Sequence, residues 1–443
     1  MKKTGKFLII LGLISHQARA YKAPQPAYLE IAPVVSAINM VMIHDVISPP
    51  VAARYYAYAM MSAYQIVSQN NAQIPGLASF VREYPVTSVI AKANKDFDYR
   101  VAAKYAIYET AKNMLPSGYM LQEDEDTFIA ELKRQNYTQA AIDKIVKVAV
   151  ESSAQVINFS KIDNYGKLSA KLRYTPLKGE GSWYPTPPAY MDAVEPHWNS
   201  IKPLMADSAA QFKPAPPVAF SKDSTSQFYK LAMAVYNVSK NPSREQLFIA
   251  SFWDCNPFAV TTSGHMSIGF KKISPGGHWM NIAAMAVKKA NLTFDQSVLV
   301  VTMEAATLMD TFICCWDEKY LTNRLRPETY INKYVDITWR PFLQTPPFPE
   351  YTSGHAIVSN SSATILTYLL GDKFAYTDDT EIPFGVDARS FTSFKQAAAE
   401  ASISRFYGGI HYTDSIEEGN KQGVDLGNYV IARIKKAGIK PLR

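Results

Sequence analysis

Helical periodicity is the feature of this sequence that most restricts its fold. Apolar residues recur every three to four positions along most of the 443-residue chain. No convincing run of two-residue alternation between turn signals, the pattern of a β domain, stands out. Helices are predicted at 48–65, 97–115, 138–159, 223–239, 243–253, 277–290, 293–325, 354–370, 391–407 and 415–437. The sequence therefore predicts an all-α fold built of helical bundles.

Proline divides this helical chain into two halves. Nine of the 27 prolines fall within residues 176–217. Proline fixes φ and removes a backbone donor, so this segment is predicted to be an irregular connection. The predicted organisation is a signal peptide over 1–20, an N-terminal helical region over 21–175, the proline-rich connection over 176–217 and a C-terminal bundle over 218–443.

The first twenty residues have the pattern of a secretory signal peptide. Three lysines precede a short apolar run over 7–14, and residues 18–20 read Ala-Arg-Ala, a small-x-small cleavage site. We therefore expect export to the periplasm or the exterior. Removing the signal lowers the net charge from +7 to +3, which is too small to indicate nucleic acid or a membrane surface as a partner, and we expect neither.

Two further features limit the alternatives. The stretch 297–316 is apolar enough to resemble a membrane span, but Glu304 and Asp310 within it favour a buried bundle helix. Cys255, Cys314 and Cys315 form no Cys/His set with zinc-binding spacing. We expect these cysteines to pack as small buried apolar groups, and we expect no membrane span.

The first segment that could carry chemistry is Lys319-Tyr-Leu-Thr-Asn-Arg-Leu-Arg326-Pro327. Lys319 and Arg326 are seven residues apart, so two turns of one helix would place both on the same side. Pro327 is expected to disrupt that helix. A solvated basic face is the alternative interpretation.

The second segment is Pro349-Glu-Tyr-Thr-Ser353-Gly354-His355, which precedes an apolar run. Ser353 and Gly354 are expected at a helix start, where free backbone N–H groups and the helix dipole favour an anion. The alternative is a plain serine cap with a packed histidine.

The third segment is Ser404-Arg405-Phe-Tyr-Gly-Gly-Ile-His411. Arg405 is expected to end a helix, and its guanidinium matches the geometry of a tetrahedral oxyanion. His411 would then emerge just before the next helix. The alternative is an ordinary helix end with a C-terminal glycine.

In this order the segments resemble the three-part signature of the type 2 phosphatidic acid phosphatases and vanadium haloperoxidases: Lys, six residues, Arg-Pro; Pro-Ser-Gly-His; and Ser-Arg, three residues, Gly-x-His. The resemblance is strongest over about residues 250–437. The flanking strings Trp-Asp-Glu-Lys at 316–319 and Pro-Pro-Phe-Pro-Glu-Tyr at 346–351 are similar to the bacterial, iodoperoxidase-like vanadium haloperoxidases.

The resemblance implies vanadate as cofactor and a role for each motif residue. His411 would be the metal ligand, and His355 would act as acid/base. Vanadate would be bound by Lys319, Arg326, Ser353, Gly354, Arg405 and His411. The implied catalytic residues are His355, Lys319 and His411.

The implied reaction is the oxidation of a halide by hydrogen peroxide to a hypohalous acid equivalent, which then meets a small organic acceptor. Trp316 and Asp317, with Phe258 from the turn at 253–258, are the predicted halide pocket. A carboxylate there would repel an incoming anion and temper the activating field. Iodide, the halide most easily oxidised, is therefore the predicted substrate.

Two departures from the family pattern leave alternatives open. Thr352 stands where the family has proline. The family often places an aspartate four residues after the last histidine, but this chain has Ser415 there and Asp414 one position early. What orients His411 is thus undetermined. A secreted acid phosphatase forming a phosphohistidine with His411, or a non-catalytic oxyanion-binding protein, would use the same residues.

Overall fold

The computed structural model describes residues 25–86, 97–187, 189–263 and 265–443, and the predicted signal peptide lies outside them. Thirteen α-helices fall within this described part of the chain. They are α1 (Ala32–His44), α2 (Pro49–Asn70), α3 (Tyr99–Met114), α4 (Gln122–Arg134), α5 (Gln139–Ser160), α6 (Gln227–Val238), α7 (Arg244–Phe252), α8 (Pro275–Lys289), α9 (Phe294–Thr322), α10 (Pro327–Tyr334), α11 (Gly354–Leu370), α12 (Phe394–Tyr407) and α13 (Thr413–Lys436). The predicted all-α fold is confirmed.

Strand structure in the described residues is limited to two short antiparallel hairpins. β1 (Val260–Ser263) pairs with β2 (Met266–Gly269), and β3 (Tyr376–Asp378) pairs with β4 (Arg389–Phe391). In the second hairpin Tyr376 lies opposite Phe391, and their rings pack at a centroid distance of 5.7 Å. These two hairpins are separate additions to the helical bundle and do not form a sheet layer.

Local caps explain where several helices begin. Thr138 accepts a hydrogen bond from the backbone N–H of Ala141 at 3.2 Å and starts α5. Ser243 and Thr293 each form a capping box with the glutamine three residues later, at the starts of α7 and α9. Such caps satisfy backbone donors that have no partner inside a helix.

Helix α9 is the central element of the molecule. It is the one helix of the described residues long and apolar enough to cross a membrane, and its most apolar window is entirely buried in the protein. Side chains of α2, α9, α11, α12 and α13 belong to one continuous hydrophobic core. A core of this kind covers a helix that is apolar all round, as predicted for a buried bundle helix.

The proline-rich segment is held against α9. The described residues of 176–217 contain no α-helix, only a 3₁₀ turn at Trp198–Ser200. The Asp310 carboxylate on α9 accepts hydrogen bonds from the backbone N–H groups of Leu204, Met205 and Ala206 at 2.6, 2.8 and 2.7 Å. The predicted irregular segment is therefore ordered by a buried carboxylate.

Candidate active site

The site lies where α9 ends, at one end of the bundle. Asn323 adopts a left-handed conformation with φ of 49° and stops the helix after Thr322. Arg326 is the N-cap of α10, with Pro327 in its first turn. The expectation that Lys319 and Arg326 share one helix is therefore wrong, because Asn323 breaks the helix between them. In addition to the effect of burial, the charges of both side chains nevertheless lower the pKa of the same histidine, His411.

Lys319 is fully buried in the last turn of α9. Its Nζ donates to the carbonyl oxygen of Thr352 at 2.6 Å and to those of Pro349 and Glu350 at 3.2 Å. The ammonium also lies 5.1 Å from the centre of the Phe348 ring. Burial lowers the pKa of Lys319 to about 8, because the charged form is poorly solvated there.

Arg326 connects the segment before α11 with the segment before α13. Its Nε donates to the carbonyl oxygen of Phe348 at 3.0 Å, and its Nη1 donates to the carbonyl oxygen of Ile410 at 2.9 Å. Nη1 also lies 3.0 Å from Nε2 of His411. Burial lowers the pKa of Arg326 to about 10, which leaves it charged at neutral pH.

The start of α11 has polar groups that are not hydrogen-bonded to other described residues. Ser353 is the N-cap residue and Gly354 is the first helical residue. The Ser353 Oγ is buried and has no hydrogen-bond partner among the described residues. Apart from its chain neighbours and the backbone of its own helix, no described atom lies within 4 Å of a Cβ placed on Gly354, so there is open space beside this backbone. A helix start with these properties favours an anion, as predicted from the sequence.

Arg405 lies in the last turn of α12 and reaches the ring of His355. Its Nη1 lies 3.1 Å from Nε2 of His355. The Nε and Nη2 groups of Arg405 are buried without a hydrogen-bond partner in the described part of the chain. His355 is partly exposed to solvent, yet desolvation of its ring and the charge of Arg405 hold its pKa well below the usual value.

The residue that holds His411 is Glu350, which the sequence analysis did not assign to the site. Its Oε1 accepts a hydrogen bond from Nδ1 of His411 at 2.8 Å and from the backbone N–H of Tyr412 at 3.1 Å. A proton on Nδ1 leaves the lone pair on Nε2, on the side of Arg326. Burial, then the charges of Arg326 and Lys319, lower the pKa of His411 well below its usual value, so the ring is neutral.

The two residues that depart from the family pattern have different contacts. Asp414 pairs with Arg324 at 3.0 Å, and Arg324 in turn lies 3.4 Å from Oε2 of Glu350. Ser415 Oγ lies 3.4 Å from Nδ1 of His411, a longer contact than that of Glu350. The displaced aspartate therefore does not contact His411 itself. It pairs with Arg324, which lies beside the Glu350 that holds the histidine.

The predicted halide pocket divides into buried and exposed parts. Trp316 is buried, and its ring packs on Phe348 at a centroid distance of 5.0 Å, with Lys319 between 5 and 6 Å from both rings. Asp317 is partly exposed and accepts a hydrogen bond from the side chain of Asn199 at 2.9 Å. Phe258 is half-buried in its turn. The halide roles of Trp316, Asp317 and Phe258 stay predictions, and Phe348 is an additional aromatic wall.

The donor set fits a tetrahedral oxyanion such as vanadate. Buried polar groups in proteins are almost always hydrogen-bonded. Here the Ser353 hydroxyl and two guanidinium nitrogens of Arg405 are buried without a partner among the described residues, and Arg405 contacts His355, two residues after Ser353. These donors, with Lys319, Arg326 and the Nε2 lone pair of His411, are those that an oxyanion and its metal centre require.

Known proteins show similarity in both fold and sequence. A crystal structure described as the first bacterial vanadium-dependent iodoperoxidase is 40% identical, with a TM-score of 0.84 over 93% of this chain and 97% of that one. Holo and apo forms of a bacterial vanadium-dependent chloroperoxidase give TM-scores of 0.64 and 0.65 at 14% identity, over 93% and 88% of this chain and 95% of each of theirs. That level of identity supports the fold alone.

The family model for the second helical-bundle domain of vanadium chloroperoxidase matches residues 333–438. No curated protein matches the chain. The fold and the arrangement of buried cations are those of a helical enzyme that handles an oxyanion. The chain belongs to the bacterial vanadium-dependent haloperoxidases.

Proposed function

We propose that this haloperoxidase binds vanadate in the cationic cluster and uses it to oxidise iodide with hydrogen peroxide. The observation that carries the proposal is that buried donors at the start of α11 and on Arg405, which contacts His355 in the same first turn, have no partner among the described residues. The His411 ring, fixed by Glu350, presents its Nε2 lone pair among the same cations. An oxyanion would partner donors that the described protein groups leave free.

The chain's residues would divide the work of holding the cofactor. The charges of Lys319, Arg326 and Arg405 would neutralise the oxygens, and the unpartnered Nε and Nη2 groups of Arg405 would donate charge-assisted hydrogen bonds of roughly 1.5–3 kcal/mol each. Ser353 Oγ and the backbone N–H of Gly354 would add neutral donors. Bound vanadate would supply Lewis acidity that activates hydrogen peroxide for oxygen transfer to a halide.

His355 is suited to moving a proton. Its ring is partly exposed, and it lies against Arg405 rather than in the contact that holds His411. Its lowered pKa keeps it neutral in the cluster of cations, so the ring has both a nitrogen that can accept a proton and an N–H that can donate one. We assign it the acid/base role.

Iodide is the preferred halide in this proposal. It is the most easily oxidised of the common halides and demands the least activation. The aromatic wall of Trp316 and Phe348 beside Lys319 offers a polarisable, positively charged place for a large anion. The iodoperoxidase described above is the relative at 40% identity. We further propose export of the enzyme, on the signal-like pattern of residues 1–20.

Reconstitution of the apo enzyme tests this function. Dialysis against chelator with phosphate should abolish iodide oxidation, and vanadate should restore it, with bromide oxidised weakly and chloride not at all. A phosphate monoester assayed in parallel tests the phosphatase alternative. Arg405→Met should abolish reconstitution, whereas Arg82→Met, at a partly exposed arginine that bonds the Ala206 carbonyl, should not. Activity that survives dialysis, or that follows iron content, would contradict the vanadate assignment.

A further inference from the structure

A second cluster of chemically distinctive side chains lies outside the oxyanion site. Cys255 follows α7, His278 is in the first turn of α8, and Glu381 follows β3. All three are buried, with exposures of 2%, 0% and 2%. Their Sγ, ring nitrogen and carboxylate oxygen lie within 4.8 Å of one another. The proposed peroxidase chemistry uses none of these three groups.

The distances between these atoms match those between ligands of one metal ion. Cys255 Sγ lies 3.3 Å from Nδ1 of His278, Nδ1 lies 3.2 Å from Oε1 of Glu381, and Sγ lies 3.9 Å from that oxygen. Tetrahedral zinc with its usual bond lengths separates such ligand atoms by about 3.3–3.6 Å. Side-chain adjustments of a few tenths of an ångström would complete the geometry.

The opposite nitrogen of His278 provides an independent observation. Nε2 lies 2.8 Å from Oδ2 of Asp378, and Oδ1 of Asp378 accepts the backbone N–H of Thr380 at 3.0 Å. Metal-bound histidines nearly always donate their second ring N–H to a carboxylate, a backbone carbonyl or water, and Asp378 is such a partner. With the proton on Nε2, the Nδ1 lone pair faces Cys255 and Glu381. Three electron-pair donors would then converge on one buried point, where a metal ion would replace a second proton on His278. Although burial lowers the pKa of His278, the charge of Asp378 raises it well above its usual value.

The ligand types select the class of cation. Calcium and magnesium bind oxygen ligands and disfavour a thiolate, whereas zinc takes sulfur, imidazole nitrogen and carboxylate together. One thiolate and one carboxylate would also balance the charge of a divalent ion in this buried place. We propose that Cys255, His278 and Glu381 bind one Zn²⁺, with a solvent molecule in the fourth position and Asp378 holding the histidine.

This site would stabilise a turn that reaches the oxyanion site. Trp253, two residues before Cys255, hydrogen-bonds His355 through its backbone, and its ring stacks on His278 at 4.7 Å. A cation bound to Cys255 would fix this turn to α8 and to the segment after β3. The proposed role of the cation is to hold this turn in place, and the existence of the site does not depend on which cofactor the cationic cluster holds.

Metal analysis tests the proposal directly. Untagged full-length protein, exposed to excess Zn²⁺ and then desalted, should retain one zinc per chain by mass spectrometry of the metal. Cys255→Ala should lose it, whereas Cys314→Ala, a matched change at another buried cysteine, should retain it. Equal zinc in both variants, or none in the wild type, would overturn the proposal.

Cobalt substitution on the wild-type protein avoids any dependence on how the variants fold. Co²⁺ at this site should give a thiolate-to-cobalt charge-transfer absorption in the near ultraviolet, which added Zn²⁺ removes. A folded protein without that absorption would show that the cluster is instead a protonated His278 between Asp378 and Glu381, and the zinc site would be rejected. Vanadium content, measured in the same samples, reports the cationic cluster separately.

Discussion

Glu350 gives the sharpest test of how the site works. Glu350→Gln keeps the shape of the side chain and removes its charge. The amide oxygen can still accept from Nδ1 of His411 and from the Tyr412 N–H, now 2.8 and 3.1 Å from Oε1. Asp414 still pairs with Arg324, so the variant should fold. The change therefore isolates the contribution of the charge.

The magnitude follows from the strength of the lost interaction. A hydrogen bond to a charged group contributes about 1.5–3 kcal/mol and a neutral one about 0.5–1.5 kcal/mol. The substitution should thus lose about 1–1.5 kcal/mol of support for His411, or roughly tenfold in vanadate affinity. Glu350→Ala removes the contact altogether, and loss of such an outer partner typically costs 10–100-fold.

The assay is calorimetric titration of the apo protein with vanadate, with iodide oxidation measured on the same samples. Glu304→Gln is the matched control, because Glu304 is a fully buried glutamate of α9 whose pKa burial raises to about 8, so it is already neutral at pH 7. If Glu350→Gln binds vanadate as tightly as Glu304→Gln does, Glu350 does not hold the ligand and the reasoning fails.

Three further outcomes are expected. His411→Ala should be folded by circular dichroism but bind no vanadate and be inactive even at high vanadate; near-normal turnover would assign the ligand to another residue. His355→Ala should keep vanadate while turnover falls by about 10²–10⁴-fold, as for a lost acid/base, and loss of bound vanadate would contradict that role. Lys319, with its pKa of about 8, is charged below that pH and neutral above it. Affinity for sulfate, whose charge is constant in this range, should therefore fall as pH rises through about 8 in calorimetric titrations; a constant affinity would contradict this prediction.

The motif residues of the site could be predicted from the sequence, but the residue that holds His411 could not. The cationic and histidine residues were predicted because three motifs, each with an ordinary alternative when taken alone, occur in the order of the family's signature. Glu350 was visible, three residues before Ser353, but no local rule says which carboxylate reaches a histidine 61 positions away. The same limit applies to Cys255 and His278, since ligands supplied by separate elements leave no short spacing to read.

The helix predictions succeeded and failed for physical reasons. Predicted helices with long apolar repeats lie within a few residues of the observed ones, such as α11 at Gly354–Leu370. Helix α4 was missed because its sequence is mostly polar, although its acidic first turn suits a helix N-terminus. Helix α9 was predicted to end three residues too late, because the left-handed residue Asn323 gives only a weak signal.

Helix α9 connects the oxyanion site to other parts of the fold. One rigid helix of 29 residues packs against α2, is bonded by Asp310 to the proline-rich segment, and ends with Lys319 among the oxyanion donors. A ligand that binds only the folded protein at this last turn stabilises it against unfolding. That stabilisation should extend to every element that has to separate from α9 before the site is lost. Amide hydrogen exchange in α2, which supplies none of the proposed oxyanion ligands, should slow when the oxyanion binds, and the chain should unfold as a single cooperative unit.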